Sequence, residues 1–163
     1  MSDKRKIFFV ILMFAYMVCY MRIMAIDYSD VRTGIAISDE TASIAGEAWV
    51  ISAKTLKAAA QAIVAEAATR GVGTLVVGYP KNMNDTIGPR AEKCEQLADI
   101  IRGMCEITVV LWDERMTTIS AHRILSEAGR HGKKRKNTID AVAASLILEN
   151  YLLTLGSRTV AGG

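Results

Sequence analysis

Three short apolar runs constrain this chain more than any other feature: RIMAIDY at 22–28, TLVVGY at 74–79 and ITVVLW at 107–112. Each is too continuous to alternate between a wet and a dry face. Strands of this kind lie inside a sheet that is covered on both sides. TGIAISD (33–39) and EAWVIS (47–52) follow the first run at spacings that suit an antiparallel meander. Between and after the runs, apolar residues recur at helical spacing over 54–70, 90–104, 117–129 and about 138–155. Gly71 stops the first of these helices and Pro89 opens the second. The predicted order is βββαβαβαα, an α/β mixed sheet with helices on both faces. Chemistry in such sheets gathers at the carboxyl ends of the parallel strands.

The chain has 163 residues, which suits one domain, and 51% of them are hydrophobic, which excludes a disordered or low-complexity protein. A formal charge of +3 means that any nucleic-acid role rests on a local basic patch. Cys19, Cys94 and Cys105 are too few and too scattered for a disulfide framework, and no Cys/His cluster suits zinc. Both point to a reducing compartment.

Residues 7–21, IFFVILMFAYMVCYM, form an apolar stretch behind a basic SDKRK. The stretch falls short of the ~20 residues that span a bilayer as a helix. No small-residue cleavage site follows it, and the first strand starts at once. The preferred reading is an upstream-extended start, with Met21 as the true beginning, no membrane, a domain over 21–155 and a flexible tail over 156–163. A membrane anchor, or an extra helix packed on the domain, are the alternatives.

Carboxylates stand where they are expensive. Asp27 closes the first buried run, where an ionised group costs several kcal/mol unless paired or bound to metal. The competing role is an Asx cap on the turn at Ser29-Asp30. Asp113 and Glu114 follow the last run, either as site acids or as the polar start of the next helix. Asp140 shares a helix face with Ala143, Ala144 and Ile147, so it points along the apolar side. Its competing role is to complement the helix dipole. Three such acids at one end of a sheet suit oxygen-loving Mg²⁺ or Mn²⁺ and two-metal phosphodiester chemistry. Around these acids lie groups suited to binding a polyanionic substrate: Arg32, Lys81, Asn82, Arg90 and Arg115, with Lys133, Lys134, Arg135 and Lys136 ahead of Asp140. The last four form either a solvated loop or a phosphate clamp. His122 and His131 are isolated and carry no assignment.

Four blocks then carry a resemblance: MRIMAIDYSDVRTGIAISD (21–39), LVVGYPKNMNDTIGPRAEKCEQLA (75–98), VVLWDERMTTISAHRILSEAG (109–129) and KKRKNTIDAVAASLILENYL (133–152). In that order, they resemble the YqgF/RuvX family of Holliday junction resolvase-like and pre-16S rRNA nucleases. The resemblance implies a ribonuclease H-like fold, metal-binding and catalytic acids at Asp27, Glu114 and Asp140 with Asp113 a near neighbour, and supporting roles for Arg32, Asn82 and Arg115. It further implies a cytoplasmic endonuclease that processes the 5′ end of pre-16S ribosomal RNA with Mg²⁺ or Mn²⁺. Structured RNA, a ribosomal particle or branched DNA are its expected partners, and the expected state is a monomer or weak dimer. A DNA junction resolvase and a non-catalytic RNA-binding assembly module are the alternatives. One departure stands out: Ser29 occupies a position where the family usually has glycine. A left-handed backbone there would strain serine by roughly 1 kcal/mol, and its side chain would narrow the approach of a phosphate backbone.

Overall fold

The computed structural model describes residues 7–8, 21–116 and 133–160. Its sheet has five strands: β1 (Arg22–Tyr28), β2 (Arg32–Ser38), β3 (Ala45–Ser52), β4 (Val72–Tyr79) and β5 (Thr108–Asp113), in the order β3-β2-β1-β4-β5. β1, β2 and β3 form the expected antiparallel meander, while β4 runs parallel to β1 and to β5. Three long helices, α1 (Leu56–Arg70), α2 (Pro89–Arg102) and α3 (Lys133–Val160), and a 3-10 turn (Glu114–Met116) accompany the strands.

Strand alternation divides the core in two. Met24, Ile26 and Tyr28 of β1 join Leu75 and Val77 of β4 under α1 and α2, in a cluster with Ile63, Leu97 and Ile101. Ile23 and Ala25 join Ala36 and Val76 under α3, with Ala144, Ile147 and Leu148. β1 therefore buries both faces, which explains its unbroken apolar run. β3 lies at the sheet edge, with half of its residues exposed and none buried. There Arg70 stacks over Trp49, 4.1 Å from the ring centroid, and pairs with Glu47.

Local signals set the helix ends. The Thr55 hydroxyl accepts from the Ala58 amide at 3.1 Å, and Gly71 turns left-handed (φ 67°) to end α1. α2 begins with Pro89 directly after Gly88. α3 departs from expectation, because it starts at Lys133 rather than near Thr138 and continues through Val160 rather than ending near Leu155. Lys and Arg are good helix formers, so the basic run extends the helix instead of forming a loop before it. Gly156 does not adopt a left-handed backbone and so does not stop the helix. The stretch Thr138–Gly156 is long and apolar enough to cross a bilayer by composition. Here, though, Ala144, Ile147 and Leu148 of that stretch are buried against the sheet. The helix expected over 117–129, with both histidines, lies outside the described residues. Cys94 is buried in the core, where burial pushes its thiol up to about 12 and leaves it unreactive.

Candidate active site

Asp27 is the penultimate residue of β1 and, with Ile23 and Ala25, faces α3. Its partner across β2 is Gly34. On the other side Ile26 pairs with Val77, so the next residue of β4, Gly78, comes alongside Asp27. Glycine inside a strand marks a close approach, and both of these glycines do so here. A Cβ on Gly34 would run into the backbone carbonyl of Asp140. A Cβ on Gly78 would sit 2.5 Å from Oε1 of Glu114 and 2.7 Å from Cδ1 of Ile147. The hollow left by two missing side chains thus lets α3 and the Glu114 carboxylate settle beside Asp27.

The electrostatics follow from that crowding. The Asp27 side chain is only 13% exposed. Burial raises its pKa from 3.8 to about 7, with Arg90 opposing the shift and Glu114 and Asp140 adding to it. Burial also raises Glu114, against the pull of Arg90. Arg90 reaches over from the first turn of α2 and donates from Nη2 to Oδ1 of Asp27 at 2.8 Å. Arg32 Nε donates to Oδ2 of Asp140, also at 2.8 Å, in a half-buried pair. Three carboxylates thereby face two guanidiniums.

Asp27 is therefore not the cap of its turn. That turn is closed by Ser29, whose amide and hydroxyl both donate to the Arg32 carbonyl. The expected strain at Ser29 is absent as well. Among the described residues other than glycine, only Ala42 and Asp85 have positive φ.

A second polar network occupies the same edge of the sheet. Asp113 takes the capping role, accepting from the Arg115 amide at 3.0 Å and from Nη2 of Arg115 at 2.6 Å. The guanidinium holds the Asp113 carboxyl below its ordinary range. Arg115 also donates to Oδ1 of Asp85 at 2.7 Å and to the Asn82 carbonyl at 3.3 Å, which commits it to the loop between β4 and α2. The Asn82 side chain donates to Thr86 within that loop. Lys81 lies 5.4 Å from the centroid of the Tyr79 ring. Lys133, Lys134, Arg135 and Lys136 form the first turn of α3, and their side chains lie outside the described residues.

The structure thus brings Asp27, Glu114, Asp140, Arg32 and Arg90 together and assigns Asn82 and Arg115 to a brace. Sequence reasoning missed Gly34 and Gly78, although glycines inside TGIAIS and VVGY were the available signal. It also missed Lys93, which lies one turn beyond Arg90 on α2 and pairs with Asp30 at 2.6 Å.

As placed, no three His, Cys, Asp or Glu groups among the described residues enclose a metal-ion position. Asp27 and Asp140 are turned onto their arginines instead. The donor chemistry still fits a hard dication: every candidate ligand atom is a carboxylate oxygen, and burial leaves the ionised forms of Asp27 and Glu114 poorly compensated by Arg90.

Residues 21–154 match the RuvX family, described as "Holliday junction resolvase". A protein of Halothermothrix orenii named "Putative pre-16S rRNA nuclease" is 44% identical over 132 residues, covering 81% of this chain and 94% of its own. A protein of Pelotomaculum thermopropionicum with the same name is 41% identical over 145 residues, covering 88% and 94%. Two solved structures share the fold. T. thermophilus RuvC in complex with a Holliday junction substrate has a TM-score of 0.50 at 8% identity, over 82% of this chain and 96% of that one. The Fowlpox virus resolvase with its substrate Holliday junction DNA has 0.52 at 11% identity, over 83% and 99%. The chain belongs to the RuvX family and is an endonuclease of the hydrolase class.

Proposed function

We propose that this protein is a cytoplasmic, divalent-metal-dependent endonuclease that processes the 5′ end of precursor 16S ribosomal RNA. The observation that carries the metal-dependent chemistry is the electrostatic imbalance at Asp27, where burial, helped by the nearby Glu114 and Asp140, outweighs Arg90 and raises the carboxyl to about 7. A hard dication relieves that imbalance, and an oxygen-only donor set favours Mg²⁺ or Mn²⁺ over zinc. Asp27, Glu114 and Asp140 are the residues that would hold it. When bound, such cations supply the Lewis acidity that activates a water and stabilises the leaving oxygen of a phosphodiester.

The chain's own groups bind and orient. Arg90 has a side chain 55% exposed, so it can leave Asp27 for a phosphate oxygen of the substrate. Arg32 holds Asp140 in place from the neighbouring strand. The basic first turn of α3 adds positive charge ahead of Asp140 and suits a polyanion. RNA as the substrate is supported by the names of the two relatives. Branched DNA is the second reading, supported by the family's description. Symmetric cutting of a four-way junction would require a two-fold dimer.

The test offers the full-length protein a 5′-extended 16S precursor and a four-way DNA junction, with Mn²⁺ or EDTA. Mn²⁺-dependent cutting of the RNA, lost in Asp27→Asn while RNA binding stays within a few-fold, is the expected result. Cutting of the junction alone transfers the assignment to the second reading. Tight, salt-sensitive RNA binding without cutting replaces both with a ribosome-assembly role.

A further inference from the structure

We propose that Met83 is a wedge that packs against an unstacked base of the bound strand, so that this protein selects the mouth of an RNA helix over continuous duplex. The inference rests on the nucleic-acid reading above and adds to it a specificity-determining residue.

Met83 lies in the loop between β4 and α2 and is 91% exposed. A single exposed methionine on a mobile loop would mean little. This loop is tied from both sides. The Asn82 amide donates to the Thr86 carbonyl at 3.1 Å, and the Asp85 amide donates to the Asn82 carbonyl at 3.0 Å. Asp85 is held in a left-handed conformation (φ 62°). Arg115, itself clamped by Asp113, bonds both Asp85 and the Asn82 carbonyl. The residues on either side of Met83 are therefore fixed, and the apolar tip is presented rather than left to fold back.

It is not alone. Val31, at the tip of the β1–β2 turn, is 70% exposed, and Ile87 in the Met83 loop is 49% exposed. The Asp30–Lys93 pair ties the Val31 turn to α2, and the two tips follow the carboxyl ends of β1 and β4, the ends that carry Asp27 and Gly78. Cations lie close to them in the chain: Lys81 two residues before Met83, Arg32 directly after Val31, and Arg90 and Lys93 on α2, the last three paired with Asp140, Asp27 and Asp30 but still partly exposed. Apolar tips among cations beside a carboxylate cluster fit a ligand with an anionic backbone and flat apolar faces. Nucleic acid has both, and apolar side chains that enter a base step work by unstacking it. Within continuous duplex that unstacking is costly, whereas at a helix end or branch most of the cost is already met.

The experiment uses the full-length protein in EDTA, so that binding is read without cutting. The probe is an RNA hairpin with a 5′ single-stranded extension and 2-aminopurine at the first base outside the helix. The control is a closed duplex of equal length and charge. Binding of the wild-type protein should raise the probe's fluorescence and favour the extended hairpin over the closed duplex, on the order of tenfold for one base contact. Met83→Ser should lose both the rise and the preference while binding the closed duplex as before, and Met83→Leu should keep them. Met83→Ser that retains the fluorescence rise and the preference overturns the wedge and leaves the nuclease reading intact. Absence of binding to either RNA at low salt overturns the RNA reading itself, and the wedge with it.

Discussion

Asp113 and Glu114 are adjacent in the chain and end in opposite electrostatic states. Alternation along β5 sends Asp113 to the side of Val109 and Leu111, where Arg115 grips it and holds its carboxyl low. The same alternation carries through to Glu114, where the strand gives way to a 3-10 turn. Glu114 swings to the α3 side, against Gly78, and burial raises it. The two networks differ in balance as well as in place. Asp113 and Asp85 share Arg115, with Lys81 close enough to add its pull, and Asp85 is 80% exposed to screening water. Asp27, Glu114 and Asp140 share two arginines in a drier hollow. The contrast separates an acid whose charge is already met by its arginine from acids whose burial is not, and residue type alone does not make that distinction.

The largest expected difference is in cleavage. Asp27→Asn should lower single-turnover cutting of precursor RNA by about 10²–10³-fold, the scale of losing one transition-state electrostatic partner. Asp113→Asn should leave cutting within about tenfold, and should instead loosen the Arg115 brace by about 1 kcal/mol. Equal losses in the two variants would erase the distinction between the networks.

The next effect is on stability against pH, measured without divalent ions. Asp27 titrates at about 7 when folded but near 3.8 when unfolded, so the native state binds more protons between those values. Stability should fall as pH rises from about 4 to about 7, by roughly 2–4 kcal/mol at ~1.4 kcal/mol per unit, and level off above that. Asp113 is shifted the other way. Its contribution is present above the unfolded carboxyl pKa and is lost as pH falls through the lowered folded value. Asp27→Asn should therefore flatten the neutral-side decline in thermal midpoint, and Asp113→Asn the acid-side one. A wild-type midpoint that rises steadily from pH 4 to 7 would contradict the burial of Asp27.

The two site glycines give a smaller contrast. At Gly34 an added methyl meets backbone, so Gly34→Ala must push α3 away and should cost about 1–3 kcal/mol. At Gly78 the methyl meets the far ends of the Glu114 and Ile147 side chains, which can move. Gly78→Ala should cost less in melting experiments and yet reduce cutting by displacing Glu114. A Gly78→Ala protein with full activity would remove Glu114 from the site.

Much of this arrangement was legible in the sequence because burial and periodicity constrain it. The succession of strands and helices along the chain, the meander and the inward face of Asp140 all follow from where apolar residues recur. Less was legible where a local interaction redirects one residue. Arg115 reads as a substrate ligand in sequence because nothing there shows that Asp113 and Asp85 already claim its donors. The basic run reads as a loop because four like charges suggest solvation, while their helix propensity carries α3 back to Lys133. The glycines beside Asp27 read as ordinary strand residues until Asp140 and Glu114 are seen against them.

Ser29 carries the smallest prediction and the sharpest correction. Glycine at this position suggests a left-handed turn, in which serine would be strained and the reversion Ser29→Gly would stabilise. The backbone here is not left-handed, and the Ser29 amide and hydroxyl converge on the Arg32 carbonyl. Ser29→Gly should therefore lose one hydrogen bond and add freedom to the unfolded chain, destabilising by about 0.5–1.5 kcal/mol. Through the slackened turn it should disturb the Arg32–Asp140 pair only slightly, and cutting should stay within about threefold. A variant that melts higher than the wild type would restore the strain. One that keeps its midpoint but cuts much faster would mean that the hydroxymethyl group obstructs the phosphate path, and Ser29 would then act on the substrate rather than on the turn.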